Sequence, residues 1–218
     1  MKSENEKSFL KQISKILDSM NKHSKLDGEY RSLISENDKL HFKFEKDVNR
    51  IFFRNTLLVI HGSSILDNVK NMKLSLYRHE SYLNSQTKKI NDIKNTATKI
   101  IDEDKKEMIM KTVFLLKERV NLMREWIAIW RVSLMLSEDA GKYAIECGKG
   151  LMPKENFSRE YYALCEKTDF FGKKFVLNTT KFIKLYNEIR ELIAKYDEIK
   201  DLFGKNKEFI KLFKRKKF

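Results

Sequence analysis

The chain has 218 residues, and its 45 lysines and arginines against 31 acidic residues give a formal net charge of +14. Only 7 glycines and 1 proline are present, whereas β-hairpins and other tight turns depend on such residues. This composition excludes a turn-rich β-protein and predicts an all-α fold, a multi-helix bundle with long antiparallel helices. The charge favours an anionic partner such as RNA, other nucleic acid or an anionic membrane surface, although excess lysine can also serve solubility alone.

The chain contains two cysteines, Cys147 and Cys165, which are too few for a disulfide framework or a zinc site. Its first residues, MKSENEKSFLKQ, contain no apolar signal core. No continuous apolar run approaches the ~20 residues needed to span a bilayer. We therefore expect a soluble, cytoplasmic protein with reduced cysteines, no metal and no other cofactor.

The N-terminal part is predicted to form successive helices. Apolar residues recur at intervals of three and four over 5–22, as in an amphipathic helix, and Gly28 is expected to end this helix. A second helix is predicted from Tyr30 into the late forties, with a possible interruption at 35–39. It either continues into the helix predicted over 50–68 or meets that helix at a tight turn.

The middle of the chain combines a polar segment with the longest helical pattern. Residues 84–99 are polar with few apolar positions, which indicates a solvated helix or a loop. Over 102–136 apolar residues follow at intervals of three and four, and the acidic residues at its start favour a helix N-terminus. A separate helix is predicted near 137–147, with Ser137 as its N-cap.

The strongest interruption of the helical pattern is a cluster formed by Gly148, Gly150 and Pro153. This cluster divides the sequence into two predicted parts. Residues 1–150 form a helical bundle core that carries the candidate site, and 151–218 form C-terminal helices that pack on the core.

The C-terminal part is predicted to form helices over 155–168 and 173–202, the second ended by Gly204. A basic tail follows, and its cationic side chains are candidates for binding nucleic acid. They are Lys211, Lys214, Arg215, Lys216 and Lys217. The tail can contact RNA phosphates, lie on an anionic membrane through its phenylalanines, or remain a solvated chain end.

The stretch over 50–68 is the most informative part of the sequence. On a helix, its apolar side chains cover nearly every side, which is typical of a buried helix. Four polar residues, Arg50, Arg54, His61 and Asn68, nevertheless fall within one narrow arc, because steps of four and seven return close to the same azimuth. Such groups are costly to bury unless they are paired or lie in a wet cleft.

Arg54 and Asn55, followed by His61, resemble the signature of the HEPN superfamily, in which an arginine and a polar residue precede a histidine within a helical bundle. The resemblance implies an all-α protein that acts as a metal-independent endoribonuclease. It also implies a homodimer in which two Arg/His pairs form one composite cleft. HEPN proteins recur as toxins, antiphage-defence effectors and CRISPR-associated nucleases.

The residue types suit RNA cleavage. Histidine can transfer protons near neutral pH, and arginine stays charged and can hold a phosphate through two hydrogen bonds. The separation of seven places Arg54 and His61 on one helix face, about 10 Å apart along the axis. We therefore predict Arg54 and His61 as catalytic residues, with Asn55 supporting them and Arg50 adding a phosphate contact.

Three alternatives stay open. The polar arc can be structural, with its cationic residues paired to acids such as Glu45, Asp47 or Asp67. The chain can also be a non-enzymatic basic bundle that binds nucleic acid or a partner protein, for example as a bacterial or phage accessory factor. It can thirdly be a helical protein of the membrane surface. The sequence therefore leaves open whether the chain is an enzyme.

Overall fold

The computed structural model describes residues 4–51, 55–98 and 102–196, and these residues form four long helices. In chain order the helices are α1 (Glu4–Ile51), α2 (Asn55–Ala97), α3 (Glu103–Gly148) and α4 (Lys154–Lys195). No strand occurs in these three ranges, and the predicted all-α bundle of long helices is confirmed. None of the described helices is both long enough and apolar enough to cross a membrane.

The helices are longer than the sequence pattern predicts. Gly28 lies inside α1, Ser137 inside α3 and Gly172 inside α4, so the helix ends predicted near these residues are wrong. A single glycine costs a helix only about 1 kcal/mol relative to alanine. Burial of the apolar stripes on both sides of each position outweighs that cost, and the helices continue.

The polar segment over 84–99 is helical as far as Ala97. Its few apolar side chains, Ile90, Ile93 and Ala97, are all buried. They follow one another at intervals of three and four, so they lie on one side of α2 and cover one narrow stripe. The open choice between helix and loop is therefore settled in favour of a helix with one buried side.

Both ends of α3 have recognisable capping interactions. At its start, Asp102 Oδ1 accepts a hydrogen bond from the backbone N–H of Lys105 at 3.1 Å, as an N-cap residue does. At its end, the Leu151 N–H donates to the Glu146 carbonyl at 2.9 Å, and Gly150 has a φ of 75°. This is the Schellman arrangement, in which glycine takes up the left-handed conformation that other residues avoid.

The chain divides into two compact units, and each helix contributes a segment to both. Unit 1 comprises the described residues of Met1–Asp27, His79–Glu125 and Asn178–Phe218, and unit 2 comprises those of Gly28–Arg78 and Trp126–Leu177. The division that the sequence suggests at the glycine–proline cluster stays a prediction.

In unit 1, a polar contact joins α4 to α3. Asn178 is 3% exposed, and its Nδ2 donates to the Leu122 carbonyl at 3.3 Å and to Glu125 Oε2 at 3.2 Å. Lys181 Nζ donates to the same carboxylate oxygen at 2.7 Å. The hydrogen bond from Lys181, together with that from Asn178, holds the pKa of Glu125 below its usual value despite partial desolvation.

In unit 2, α1 and α3 run parallel. The Tyr30 ring meets the Trp126 ring edge-on, with centroids 5.2 Å apart. About two turns further along α1 and three turns further along α3, Asn37 Nδ2 donates to Ser137 Oγ at 3.4 Å. Ser137, predicted as a helix cap, is 7% exposed and joins two helices instead.

α4 packs against α3 in unit 2 after the short turn over 149–153. The buried cluster here joins the end of α3, the start of α4 and one residue of α2. Its members are Leu58, Ala140, Ala144, Cys147, Phe157, Tyr161 and Leu164. Because the start of α4 packs on the end of α3, the two helices are antiparallel.

α2 and α3 approach each other closely at glycines. A Cβ built on Gly62 would lie 2.5 Å from the Gly141 carbonyl oxygen and 2.7 Å from Ile145 Cγ1. A Cβ built on Gly148 would lie 2.6 Å from the Asn55 carbonyl oxygen. Gly62 therefore faces the middle of this α3 segment and Asn55 faces its end, so α2 runs antiparallel to α3.

Candidate ligand-binding site

The described residues of the sequence-based site lie on α1 and α2. Arg50 belongs to α1, which ends at Ile51, whereas Asn55 is the first residue of α2 and is exposed. His61 is half-buried in α2, and Arg54 lies outside the described residues. Residues 52–54 lie outside the described residues, so the single helix predicted over 50–68 and a catalytic role for Arg54, Asn55 and His61 stay predictions.

The other residues of the sequence-based site are also distributed. Asn68 is 4% exposed and faces the interior of unit 2, whereas Asp67 is exposed. The predicted nucleic-acid-binding residues of the tail lie outside the described residues. They are Lys211, Lys214, Arg215, Lys216 and Lys217.

A cavity of about 470 Å³ lies between α1, α3 and α4, and all of its described lining residues belong to unit 2. We call it the unit 2 cavity. From α1 it is lined by Ile34, Asn37, Asp38 and His41; from α3 by Ile129, Trp130, Ser133, Leu136, Ser137 and Ala140; and from α4 by Tyr161, Leu164, Cys165, Thr168, Phe171, Gly172 and Phe175.

The helical period explains why these side chains meet. On α1, Ile34, Asn37 and His41 are three and four residues apart, which places them on one face. The lining residues of α3 and α4 follow the same spacing. Each helix thus contributes one face over about two to four turns, and the cavity fills the space that the three faces enclose.

Rings of Trp130, Tyr161, Phe171 and Phe175 line the cavity. Trp130 meets Phe175 edge-on with centroids 5.9 Å apart, and it meets Tyr30 edge-on at 5.8 Å. Tyr30 is fully buried and therefore fixes Trp130 from the side of the core. Such interlocked rings form a rigid, apolar surface for a ligand.

Several buried polar atoms belong to residues that line this cavity. Among them, Asn37 Oδ1, His41 Nε2 and Trp130 Nε1 have no hydrogen-bond partner within the described protein. Asn37 is 7% exposed, and its amide nitrogen is oriented by the hydrogen bond to Ser137. Asn37 Oδ1 can accept a hydrogen bond, Trp130 Nε1 can donate one, and His41 Nε2 can do either, depending on which ring nitrogen carries the proton.

Burial shifts the pKa of both titratable α1 residues of the cavity. Desolvation lowers the pKa of His41, so its imidazole is neutral at pH 7. Desolvation also raises the pKa of the Asp38 carboxyl group, although that side chain is still exposed. In both cases the surroundings disfavour the charged form.

Exposed lining residues mark the mouth of the cavity. Asp38 on α1 and both Thr168 and Gly172 on α4 are exposed and also line it. A Cβ built on Gly172 would meet no atom within 4 Å. The absence of a side chain at this position leaves the mouth open on the α4 side.

The sequence pattern alone did not identify this cavity as a site. The segment 35–39 looked like a helix interruption because all five of its residues are polar or charged. One feature of the sequence could have indicated the cavity. Asn37 and His41 follow Ile34 at intervals of three and four residues, which places polar groups on the same helix face as an apolar one. That signal identifies one wall of the cavity, but it does not reveal which faces of α3 and α4 lie opposite.

Within the described parts of the chain, no group of three or more histidine, cysteine, aspartate or glutamate side chains is arranged to hold a metal ion. Comparison of the chain with protein-family models, with curated proteins and with solved structures found no match.

Proposed function

We propose that the chain is a binding protein that holds a small, mainly apolar ligand in the unit 2 cavity. The observation that carries this proposal is the set of buried polar atoms without protein partners, Asn37 Oδ1, His41 Nε2 and Trp130 Nε1. A buried polar atom without a hydrogen bond costs about 1–3 kcal/mol. A ligand with matching donors and acceptors recovers part of that cost on binding.

The dimensions and lining of the cavity support the same conclusion. Its volume of about 470 Å³ lies within the range of about 300–1,000 Å³ that is usual for small-molecule sites. Aromatic and aliphatic side chains cover most of the wall, and a few polar atoms are placed among them. The apolar wall supplies affinity through burial, and the fixed polar atoms supply orientation.

The test uses N-phenyl-1-naphthylamine, a neutral apolar probe whose fluorescence rises when it leaves water. Gly172→Phe places a ring at the mouth of the cavity, where the structure leaves open space. Lys173→Phe is the matched control, because Lys173 is the next residue, is exposed and does not line the cavity. Far-UV circular dichroism checks that both variants remain helical.

We expect saturable binding of one probe per chain, weakened at least tenfold by Gly172→Phe and unchanged by Lys173→Phe. Equal affinity of the two variants would place the bound probe elsewhere and would overturn the proposal. So would the lack of saturable binding to the wild-type chain.

The HEPN-like ribonuclease is the second candidate function. Asn55, which is expected to support the catalytic pair, lies on α2 and is exposed. His61 lies on the same helix and is only half-buried. This candidate requires Arg54 and His61 to act on RNA, and their double substitution tests it as described in the Discussion.

A further inference from the structure

The charge of the unit 2 cavity differs from that of the chain. The net charge of the whole sequence is +14, yet the described residues that line the cavity include neither lysine nor arginine. Asp38 is their one carboxylate, and burial keeps His41 neutral at pH 7. Among the lining residues, an anionic ligand would therefore meet a carboxylate and no positive charge, whereas a cationic ligand would meet an oppositely charged partner.

The remaining groups in the cavity also favour a positive charge. The Asn37 Oδ1 atom is buried without a partner and can accept a hydrogen bond from an ammonium group. The faces of aromatic rings attract cations through their quadrupole, and tryptophan does so most strongly. Four such rings line the cavity. Phe171 is one of them, and it already has the ammonium group of Lys174 at 5.7 Å from its centroid.

We propose that the ligand of the unit 2 cavity is an organic cation, an amine or quaternary ammonium carried on an apolar or aromatic body. This inference rests on the binding function proposed above and specifies its ligand class. The cationic group lies near Asp38 at the mouth, where it pairs with the carboxylate, and the apolar body lies among the rings of Trp130, Phe171 and Phe175. A hydroxyl or carbonyl oxygen on that body would accept a hydrogen bond from Trp130 Nε1.

The experiment compares two probes of nearly equal shape at pH 7. 1-Naphthylmethylamine carries a positive charge, and 1-naphthylmethanol is its neutral counterpart. Isothermal titration calorimetry measures both affinities for the wild-type chain, for Asp38→Asn and for Glu36→Gln. Glu36 is a suitable control, because it is an exposed acidic residue on the same helix that does not line the cavity.

We expect the amine to bind about tenfold more tightly than the alcohol, as one charge-assisted contact provides. Asp38→Asn should abolish this preference, and Glu36→Gln should preserve it. Lys174→Gln provides a second, opposite test, because removing a positive charge near the Phe171 ring should strengthen binding of the amine and leave the alcohol unaffected.

Other outcomes separate this inference from the proposed function. If the alcohol binds as tightly as the amine and Asp38→Asn changes neither affinity, the cation preference is wrong and the cavity remains a ligand site. The same conclusion follows if Lys174→Gln has no effect on the amine. If neither probe binds and N-phenyl-1-naphthylamine also fails to bind, the proposed function and the inference are both overturned.

Discussion

Gly62→Ala tests the close approach of α2 and α3 in unit 2. The added Cβ would lie 2.5 Å from the Gly141 carbonyl oxygen, 2.7 Å from Ile145 Cγ1 and 3.2 Å from Ala144 Cβ. A carbon atom normally stays about 3.3–3.6 Å from a carbonyl oxygen, so the two helices must separate locally by nearly 1 Å. The Gly141 carbonyl oxygen belongs to the backbone of α3, so it cannot move aside through a change of side-chain rotamer.

Two opposing effects determine how Gly62→Ala changes the free energy of unfolding. Overpacking of a well-packed interior costs about 1–3 kcal/mol, and the backbone contact places Gly62→Ala near the upper end of that range. Replacing glycine by alanine inside a helix recovers about 1 kcal/mol. We therefore expect the free energy of unfolding to fall by about 2 kcal/mol, which lowers Tm by about 4–8 °C for a chain of this size.

Gly28→Ala is the matched control for this substitution. Gly28 also lies inside a helix of unit 2, and a Cβ built there meets no atom within 4 Å. Only the gain in helix propensity remains, so this variant should become more stable by about 1 kcal/mol. Urea unfolding followed by far-UV circular dichroism measures both variants. A Gly62→Ala variant that is stabilised as much as Gly28→Ala would refute the close α2–α3 contact.

Further predictions concern pH, a buried amide and RNA cleavage. Burial lowers the pKa of His41, so the unfolded chain binds a proton at this imidazole more readily than the folded chain does. The stability contributed by this group should therefore be lost as pH falls below about 6.5. His41→Leu should make the urea midpoint depend less on pH between pH 7 and pH 5, and an unchanged dependence would contradict the burial of this imidazole. Asn178→Asp places a carboxylate, which cannot donate a hydrogen bond, beside Glu125. We expect the free energy of unfolding to fall by about 2–4 kcal/mol at pH 7 and by less at pH 4, where more of the new group is protonated. Equal losses at both pH values would argue against charge repulsion. If the ribonuclease candidate is correct, purified protein should cleave labelled structured RNA with EDTA present. The Arg54→Ala/His61→Ala double variant should keep its helical circular dichroism spectrum and should not cleave the RNA. Cleavage by the double variant would show that neither residue is required.

The class of fold was accessible from the sequence because it depends on local regularities. Apolar residues such as Ile13, Ile16 and Leu17 follow the helical period, and all three are buried. The start of α3 was accessible for the same reason, since an acidic residue at a helix N-terminus acts on its own first turn. Gly28 resembles a helix end locally, but α1 continues through it, because a single glycine costs a helix only about 1 kcal/mol.

The ligand cavity was not accessible in the same way. Its walls come from three helices, and Asn37 on α1 meets Ser137 on α3 across 100 positions of sequence. The registry between these helices depends on how all the facing side chains pack, which one sequence does not specify through any short motif. The arc from Arg50 to Asn68 stays a prediction, because residues 52–54 lie outside the described part of the chain.

Both tryptophans of the chain, Trp126 and Trp130, belong to unit 2. Their fluorescence therefore reports the loss of tertiary packing in one unit, whereas circular dichroism at 222 nm averages over the helices of both. Each helix backbone also continues from one unit into the other. Coincident urea transitions in the two signals would show that the continuous helices make the chain unfold as one cooperative body. Separate transitions would show two folding units on a shared set of helices, with the ligand cavity confined to the one that carries the tryptophans.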